Sequence, residues 1–570
     1  MLDETPRAFV LRRKNEMDVE RSSFYDHWKE IADYILPRAP RFAVQDRTAR
    51  GQKANKKIVD GTATLSLRAL VSGLMSGVTT PARPWFALKS AHGAAPHDLA
   101  VWLHGVTRTM QEVFVQSNFY TETAKLYQSC ALFGTGAMVI LPDEESVIRC
   151  ETFSIGTYWL GTNSRRIVDE FLRDFTMTVR QMVEEFGLEK CSQGVQLLAK
   201  EKRWDDRIEI YHYIGPNKNW DPSRKVNTAK RYKEWYVEVG KADTKTRNPV
   251  YLSDGDNQPP LRERGFDTFP VVAPRWEADG EDIYGSQCPA MQALPDVKRL
   301  QAEQKVKAKA IEKQADPPLL ASPTLKSGGL NSDPGKTTYG DTRAGQDLVR
   351  PMYQVSFDVQ GVMLDIQEIQ KRIQRFFFED LFLMVANERR SGTKAREIDE
   401  LYEEKMTMLG PAYDRLNDEF LDPTISRVFS ICNEARLFEP APKQYQGSKW
   451  KPEYISPMAQ AQKMVGISGQ DRVRNTVGIL AGFKPEIVDL WDADADLREA
   501  AEVVGINPKL LKSQEDVDAI RQQRSADQAA AQQLAATQQV AQTAQTLSQT
   551  NTQEDNGLTQ LLNINRGIPA

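Results

Sequence analysis

The chain has 570 residues, 40% hydrophobic and 27% charged, with 74 Lys+Arg against 78 Asp+Glu for a formal net charge of −4. At roughly 150 residues per domain this means several domain-sized units or one large assembly subunit, with apolar residues enough for a real core. Near-neutral charge excludes a chain held to nucleic acid by bulk charge alone, such as a histone-like or repressor-like binder.

In chain order, residues 6–36 read as a helix, with Phe24, His27/Trp28, Ile31 and Tyr34/Ile35 at three-to-four spacing and Leu36-Pro37 as its end. A basic arm follows, Arg38, Arg41, Arg47, Arg50, Lys53, Lys56 and Lys57 against Asp46: a solvated loop, or a contact for phosphate or an acidic partner. Residues 60–78 form a second helix with Ala63, Leu67, Leu70, Leu74 and Val78 on one face, and 96–117 and 121–132 a third and fourth. Phe133-Gly134-Thr135-Gly136 then turns into a strand. Residues 147–176 alternate as short strands. Thr178-Val179-Arg180-Gln181 has the pattern of a capping box, opening a helix that ends near Gly187. Strands are expected at 208–213, 234–239 and 269–272, and a helix over 287–315 whose Lys298, Lys305, Lys307, Lys309 and Lys313 give it a basic surface.

Residues 320–350, rich in Gly, Pro, Ser and Thr, read as a long loop; loops of that length are functional or mobile. A strong helix covers 356–390. Another runs through Tyr402, Met406, Leu409, Tyr413, Leu416 and Phe420, with Gly410-Pro411 forcing a kink or restart. Residues 522–553 hold eleven Gln and eight Ala with sparse anchors at Leu534, Val540 and Leu547: a disordered tail, or a helix that is stable only when bundled with copies of itself. The longest apolar run, Leu381–Ala386, is far short of the ~20 residues that span a bilayer, and the opening MLDETPRAFVLRRK lacks a leader's apolar stretch. The expectation is a soluble chain made inside the cell, its five scattered cysteines reduced and packed as small hydrophobes.

Chemistry is nearly present in several places and fails in each. Gly335-Lys336-Thr337 looks like the end of a P-loop, but the glycine required five residues before Gly335 is Leu330, and no strand feeds it. Asp492-Ala493-Asp494-Ala495-Asp496 starts like a calcium loop, yet the turn glycine is Leu497 and the twelfth position is Val503; an acidic helix N-terminus fits better. Phe133-Gly134-Thr135-Gly136 enters a strand, not the helix a dinucleotide fingerprint needs. The histidines at 27, 92, 97, 104 and 212 form no metal-binding spacing. No catalytic set, cofactor site or metal site is expected.

Five segments, in order, resemble the head-to-tail connector (portal) proteins of short-tailed, podovirus-like bacteriophages. They are KIVDGTATLSLRALVSGLMSGVTTPARPWFAL (57–88), FGTGAMVI (133–140), YGSQCPAMQALPDVKRL (284–300), ADPPLL (315–320) and KMTMLGPAYDRLNDEFLDPTISRVF (405–429). Where such proteins tend to carry an MTATEV-like start before the long helix, this chain reads Gly392-Thr393-Lys394-Ala395-Arg396-Glu397-Ile398.

The resemblance implies a mainly helical α+β portal fold with wing, helical stem, β-containing clip and helical crown. The wing maps onto 1–177 and, with a long kinked helix, 351–440; the stem onto 178–203 and 287–319; the clip onto 204–286; a tunnel loop onto 320–350; the crown and Gln/Ala-rich tail onto 441–570. It further implies a non-enzymatic dodecameric ring at one capsid vertex, assembled in the host cytoplasm without a membrane. Double-stranded DNA passes through its channel during packaging and ejection. Terminase, major capsid and scaffolding proteins, and later tail adaptors are the implied partners. Lys326, Lys336 and Arg343 are the candidate channel-facing residues. Two other readings stay open: a nucleotide-dependent packaging enzyme, on Gly335-Lys336-Thr337, and a capsid scaffold or internal core protein, on the low-complexity tail.

Overall fold

The computed structural model describes residues 4–38, 57–91, 96–224, 226–241, 250–251, 258–316, 319–321, 349–351, 359–382, 409–442, 449–456, 458–459, 473–474, 476–504 and 510–549. It divides into two units, residues 1–93 with 102–492, and residues 94–101 with 493–570.

The first unit opens with α1 (Pro6–Ile35), which starts where expected because Pro6 sits at N1 and the Thr5 hydroxyl accepts from Ala8 N at 3.3 Å. Trp28, Ile31, Ala32 and Ile35 are fully buried, the face the spacing marks. Two arginines are buried with them: Arg7 donates to the Val239 carbonyl, and Arg21 to the carbonyls of Gly156 and Tyr158. Then come α2 (Thr62–Gly77), β1 (Phe86–Ser90), α3 (His97–Gln116) and α4 (Phe119–Phe133). Helix α4 ends on Gly134 in the left-handed region, φ +74°, and the chain runs into β2 (Ala137–Asp143) and β3 (Val147–Phe153).

A larger antiparallel sheet follows. Its strands are β4 (Tyr158–Thr162), β5 (Val168–Thr178), β6 (Arg207–Pro216), β7 (Tyr232–Lys241) and β8 (Val250–Tyr251), in that order, with β9 (Arg262–Phe266) also on β7. Between β5 and β6 lie α5 (Val179–Phe186) and α6 (Gln193–Lys200). The capping box forms as the spacing predicts, with Gln181 N to Thr178 Oγ1 at 3.3 Å and Thr178 N to Gln181 Oε1 at 3.0 Å. Alternation splits the sheet faces. Ile208, Ile210 and Tyr236 pack with Val179, Met182, Phe186, Val195 and Leu198 of α5 and α6; Tyr211, Tyr213, Val237 and Val239 pack with Val10 and Met17 of α1. Residues 178–203, mapped to a stem helix, are thus two short helices broken at Gly187 and packed on the same sheet as 204–266.

After β10 (Val271–Val272), which joins β2, comes α7 (Pro289–Ala315). Strands β11 (Leu319–Ala321) and β12 (Val349–Pro351) pair antiparallel and bring the two ends of segment 322–348 together. Within the expected helix 356–390, α8 (Val359–Phe376) is interrupted by a turn at Phe377-Phe378, where Phe378 has φ +53°; helix resumes over 379–382, and 383–390 lie outside the described residues. Residues 409–416 are helical, and what precedes Leu409, including the approach to Gly410-Pro411 and the divergent Gly392–Ile398 stretch, lies outside the described residues.

The irregularity that is described sits further on. Asn417–Leu421 is a π-helical turn leading into α9 (Asp422–Glu434). Pro423 explains it: proline has no N–H for the carbonyl of residue 419, and its ring crowds that carbonyl, so the turn widens and Asp422 N bonds back to Asn417 O. Strand β13 (Trp450–Tyr454) then pairs antiparallel with β1, across most of the chain. Leu88 pairs with Pro452, whose missing N–H faces the open edge and blunts it.

The second unit holds α10 (Ala493–Val504) and α11 (Gln514–Gln549), the latter a continuous helix through the Gln/Ala segment with its described side chains exposed. Asp494 and Asp496 lie in the first turn of α10, as an acidic helix start should, and Asp494 takes Arg521 of α11 bidentately at 2.5 and 2.8 Å. The mixed, mainly helical α+β class agrees with the sequence reading. All five cysteines are free and buried. Among the described residues no helix is long and apolar enough to cross a membrane.

Candidate functional site

The candidate residues Lys326, Lys336 and Arg343, and with them Gly335-Lys336-Thr337, lie outside the described residues. Their frame does not. The β11–β12 pair closes the segment at its base, and α7 and α8 run alongside each other, tied by Arg299–Asp365 at 2.7 Å and Arg372–Asp296 at 3.0 Å. The first half of α7 is core: Ala290, Ala293, Leu294, Val297 and Leu300 are buried. Its second half emerges. Val306 is 56% and Ile311 43% exposed, alongside exposed Lys305, Lys309 and Lys313, with Lys307 half-buried. A helix that is apolar and cationic on an uncovered face is suited to lie against another surface.

Buried Gln301 fixes where α2 starts against the middle of α7. Its Oε1 accepts from Val59 N and Asp60 N at 2.6 and 2.8 Å, and its Nε2 donates to Asp60 O at 2.9 Å. This ties the 57–88 segment to the residue that directly follows the 284–300 segment.

Three segments meet at one buried junction. Gly134 O accepts from Trp276 N at 2.8 Å, and Thr135 Oγ1 accepts from Gly285 N at 2.7 Å. The backbones of Gly134 and Gly285 approach so closely that a Cβ on Gly285 would lie 2.2 Å from Gly134 O. Beside them the Arg275 guanidinium grips Glu419 of the π turn, Nη2 to Oε1 at 2.6 Å and Nε to Oε2 at 3.1 Å, while Arg275 N also donates to Oε2 at 2.9 Å. Two more of its protons go to the carbonyls of Asp282 and Arg166. The junction is mechanical rather than chemical. Burial pushes the thiols of Cys130 and Cys288 up, Cys288 to about 12, so neither is a nucleophile at neutral pH.

Two polar groups in the sheet were not singled out by the sequence pattern as partners. His212 is fully buried, stacked on Tyr236 at 4.1 Å. Arg173 Nε donates to its Nδ1 at 3.1 Å, so Nδ1 is the acceptor and Nε2 carries the proton toward Glu234 Oε1 at 2.8 Å. Burial lowers the His212 pKa; for Glu234 burial works upward, but the His212 hydrogen bond, with the charges of Arg264 and Arg262, outweighs it and holds the carboxyl low. The neutral ring thus bridges an arginine and an ionised carboxylate, and holds β5, β6 and β7 in register.

Lys233 Nζ lies over three rings, 3.8 Å from the centroid of Trp235, 4.4 Å from Phe9 of α1 and 5.9 Å from Tyr213. Burial first, then the charge of Lys218, lowers its pKa to about 8 against the pull of Glu170, Glu263 and Glu4. The fold therefore prefers the neutral amine. Between about pH 8 and the ordinary lysine value of ~10.4 the unfolded chain carries a proton that the folded chain has lost, so stability rises with pH there and is lowest below pH 8. Lys233→Met is expected to flatten the rise in melting temperature between about pH 8 and pH 10, inside that window. An unchanged pH profile would contradict the cage.

Among the described residues no cluster of His, Cys, Asp and Glu has metal-site geometry. A shallow surface groove by α1 is lined by Asp26, His27, Glu30, Asp33 and Lys57; in it Lys57 pairs with Asp33 at 2.9 Å, so this end of the basic arm is matched internally.

Comparison with known proteins bears on what these surfaces serve. The family model of the bacteriophage head to tail connecting protein matches residues 7–511. The portal protein of Salmonella phage epsilon15 is 41% identical over 562 residues, 98% of each chain. The probable portal protein of Bordetella phage BPP-1 is 38% identical over 563 residues, 98% of this chain and 99% of its own.

Proposed function

The chain belongs to the bacteriophage head to tail connecting proteins, and we propose that it forms a closed dodecameric ring at one capsid vertex through which double-stranded DNA is packaged and ejected. The role is structural and needs no cofactor. The observation that carries it is full-length similarity to two portal proteins, joined to a fold in which two of the matching segments meet directly at Thr135 and Gly285.

In this reading the stem is α7, and the tunnel loop is 320–350, rooted on the β11–β12 pair. The clip is the β-rich 204–286 with 178–203 packed on it. The wing is 1–177 with 351–440, and the crown 441–570 includes α11. The uncovered face of α7 at Val306 and Ile311 supports a neighbouring copy there. Terminase would dock during packaging, and tail adaptors afterwards.

A conduit must let DNA slide. Each phosphate neutralised adds a salt-dependent increment of affinity, so a ring of strong cationic patches would act as a brake. A net charge of −4, with Lys326, Lys336 and Arg343 as isolated loop contacts, suits low friction. Replacing 322–348 by a short Gly-Ser turn across the β11–β12 base is expected to leave rings intact and to reduce packaged DNA, scored by nuclease protection in infected cells. Normal packaging by such rings would remove the loop from the DNA path.

A further inference from the structure

The loop between β6 and β7, residues 217–231, is built like a recognition element. It is tied rigidly. Asn217 Nδ2 donates to the carbonyls of Thr228 and Lys230, both at 2.8 Å; Trp220 N donates to Asn217 O at 3.3 Å and Asp221 N to Ala229 O at 3.0 Å. The Asp221 carboxylate takes the amide and hydroxyl of Ser223 at 2.9 and 2.6 Å. At the loop's flank Gly265 lets β9 pack against the Asn227 carbonyl, where a Cβ would sit only 2.0 Å away. None of this ordering covers the two large apolar side chains. Trp220 is 52% and Val226 58% exposed.

The loop is also strongly positive. Lys218, Arg224, Lys225, Lys230 and Arg231 stand against Asp221 alone, in a chain whose overall charge is negative. Lys230 is engaged by Asp267 at 3.5 Å, and among the described residues Arg224 pairs with the loop's own Asp221, at 3.6 Å.

We propose that the β6–β7 tip is a docking knob for an acidic protein segment that carries an apolar anchor of its own. The proposal deepens the docking role above and rests on that reading. Indole and guanidinium groups are the side chains that most often dominate protein–protein affinity. A tip already ordered by its internal hydrogen bonds loses little freedom on binding. The surrounding cations steer an acidic partner and reject a basic one. Duplex DNA fits less well: phosphates require only the cations, and stacked base pairs offer no seat to an exposed indole or an exposed valine.

The test uses the assembled full-length protein. The probe is a fluorescein-labelled oligo-glutamate peptide with a central Phe-Leu pair, read by anisotropy; controls are the same peptide with Lys for Glu, and a labelled duplex. The acidic peptide is expected to bind, with Trp220→Ala and Arg224→Glu each weakening it about tenfold or more, and the basic peptide and duplex to bind less. Both sites are exposed, so the variants should keep the wild-type melting temperature, and Val226→Ser gives an independent third readout. Acidic-peptide binding unchanged in these variants, no binding at all, or tighter capture of the duplex through the same residues would each overturn the proposal. Electron microscopy of the same samples separates the two levels: absence of rings in the wild type contradicts the connector reading, whereas rings that ignore the peptide contradict only the docking knob.

Discussion

Arg275→Ala is expected to destabilise the first unit by about 3–5 kcal/mol, because removing one member of a largely buried ion pair leaves Glu419 only the longer contact to Arg415, at 3.8 Å. The guanidinium is 6% exposed and all its contacts are native ones: the bidentate Glu419, and the carbonyls of Asp282 and Arg166. Glu419 sits in the π turn, so its loss of partner also releases the turn that redirects the helix before α9. Glu419 keeps some access to water, which places the expected cost toward the lower end. Arg275→Lys retains charge without the planar fork and should fall between wild type and alanine. Arg275→Met with Glu419→Met removes both charges and should recover part of the loss. Urea unfolding of the purified variants measures this. A cost under ~1 kcal/mol for Arg275→Ala, the range of an exposed pair, would show that the junction carries no weight.

Gly285→Ala is the second large effect. The new Cβ would stand 2.2 Å from Gly134 O and 2.7 Å from Gly134 C, and both are backbone atoms that no rotamer change can move aside. Gly134→Ala meets the same wall from the other side, 2.7 Å from Gly285 O, and adds the strain of φ +74° on a residue with a side chain. Each should cost about 1–3 kcal/mol from overpacking, Gly134→Ala with a further ~1 kcal/mol or more of backbone strain. The control is Gly105→Ala in α3, where nothing lies within 4 Å of the added Cβ. There a helix-interior glycine becomes alanine, and stability should rise by about 0.5–1 kcal/mol. Equal behaviour of Gly285→Ala and Gly105→Ala in thermal unfolding would contradict the close approach.

These two sites show how far local sequence reasoning reaches. Helix α1, the capping box at Thr178, the stop at Gly187 and the turn at Gly134 were all legible, because each depends on residues within a few positions of one another. The pairing of β1 with β13, the Arg275–Glu419 grip and the Lys233 cage were not, since each joins residues far apart in sequence. Periodicity says which face of a strand is buried but not what it meets, so His212 and Glu234 read as ordinary strand residues. The π turn had a local signal, Pro423 after Asp422, but the pattern drew attention to Gly410-Pro411 instead. Family membership was legible for a different reason. The resemblance rests on five ordered segments, and two of their glycines, Gly134 and Gly285, belong to a contact between segments. The channel candidates Lys326, Lys336 and Arg343 lie outside the described residues, so their assignment rests on the resemblance.

The central claim is that this chain closes into a ring around a DNA-sized hole. Negative-stain electron microscopy of the purified full-length protein across a concentration series tests it most directly. The account predicts closed rings with a central hole that persist on dilution, built with the uncovered face of α7 turned toward a neighbour. Monomers at every concentration, with no particle showing a hole, would contradict it.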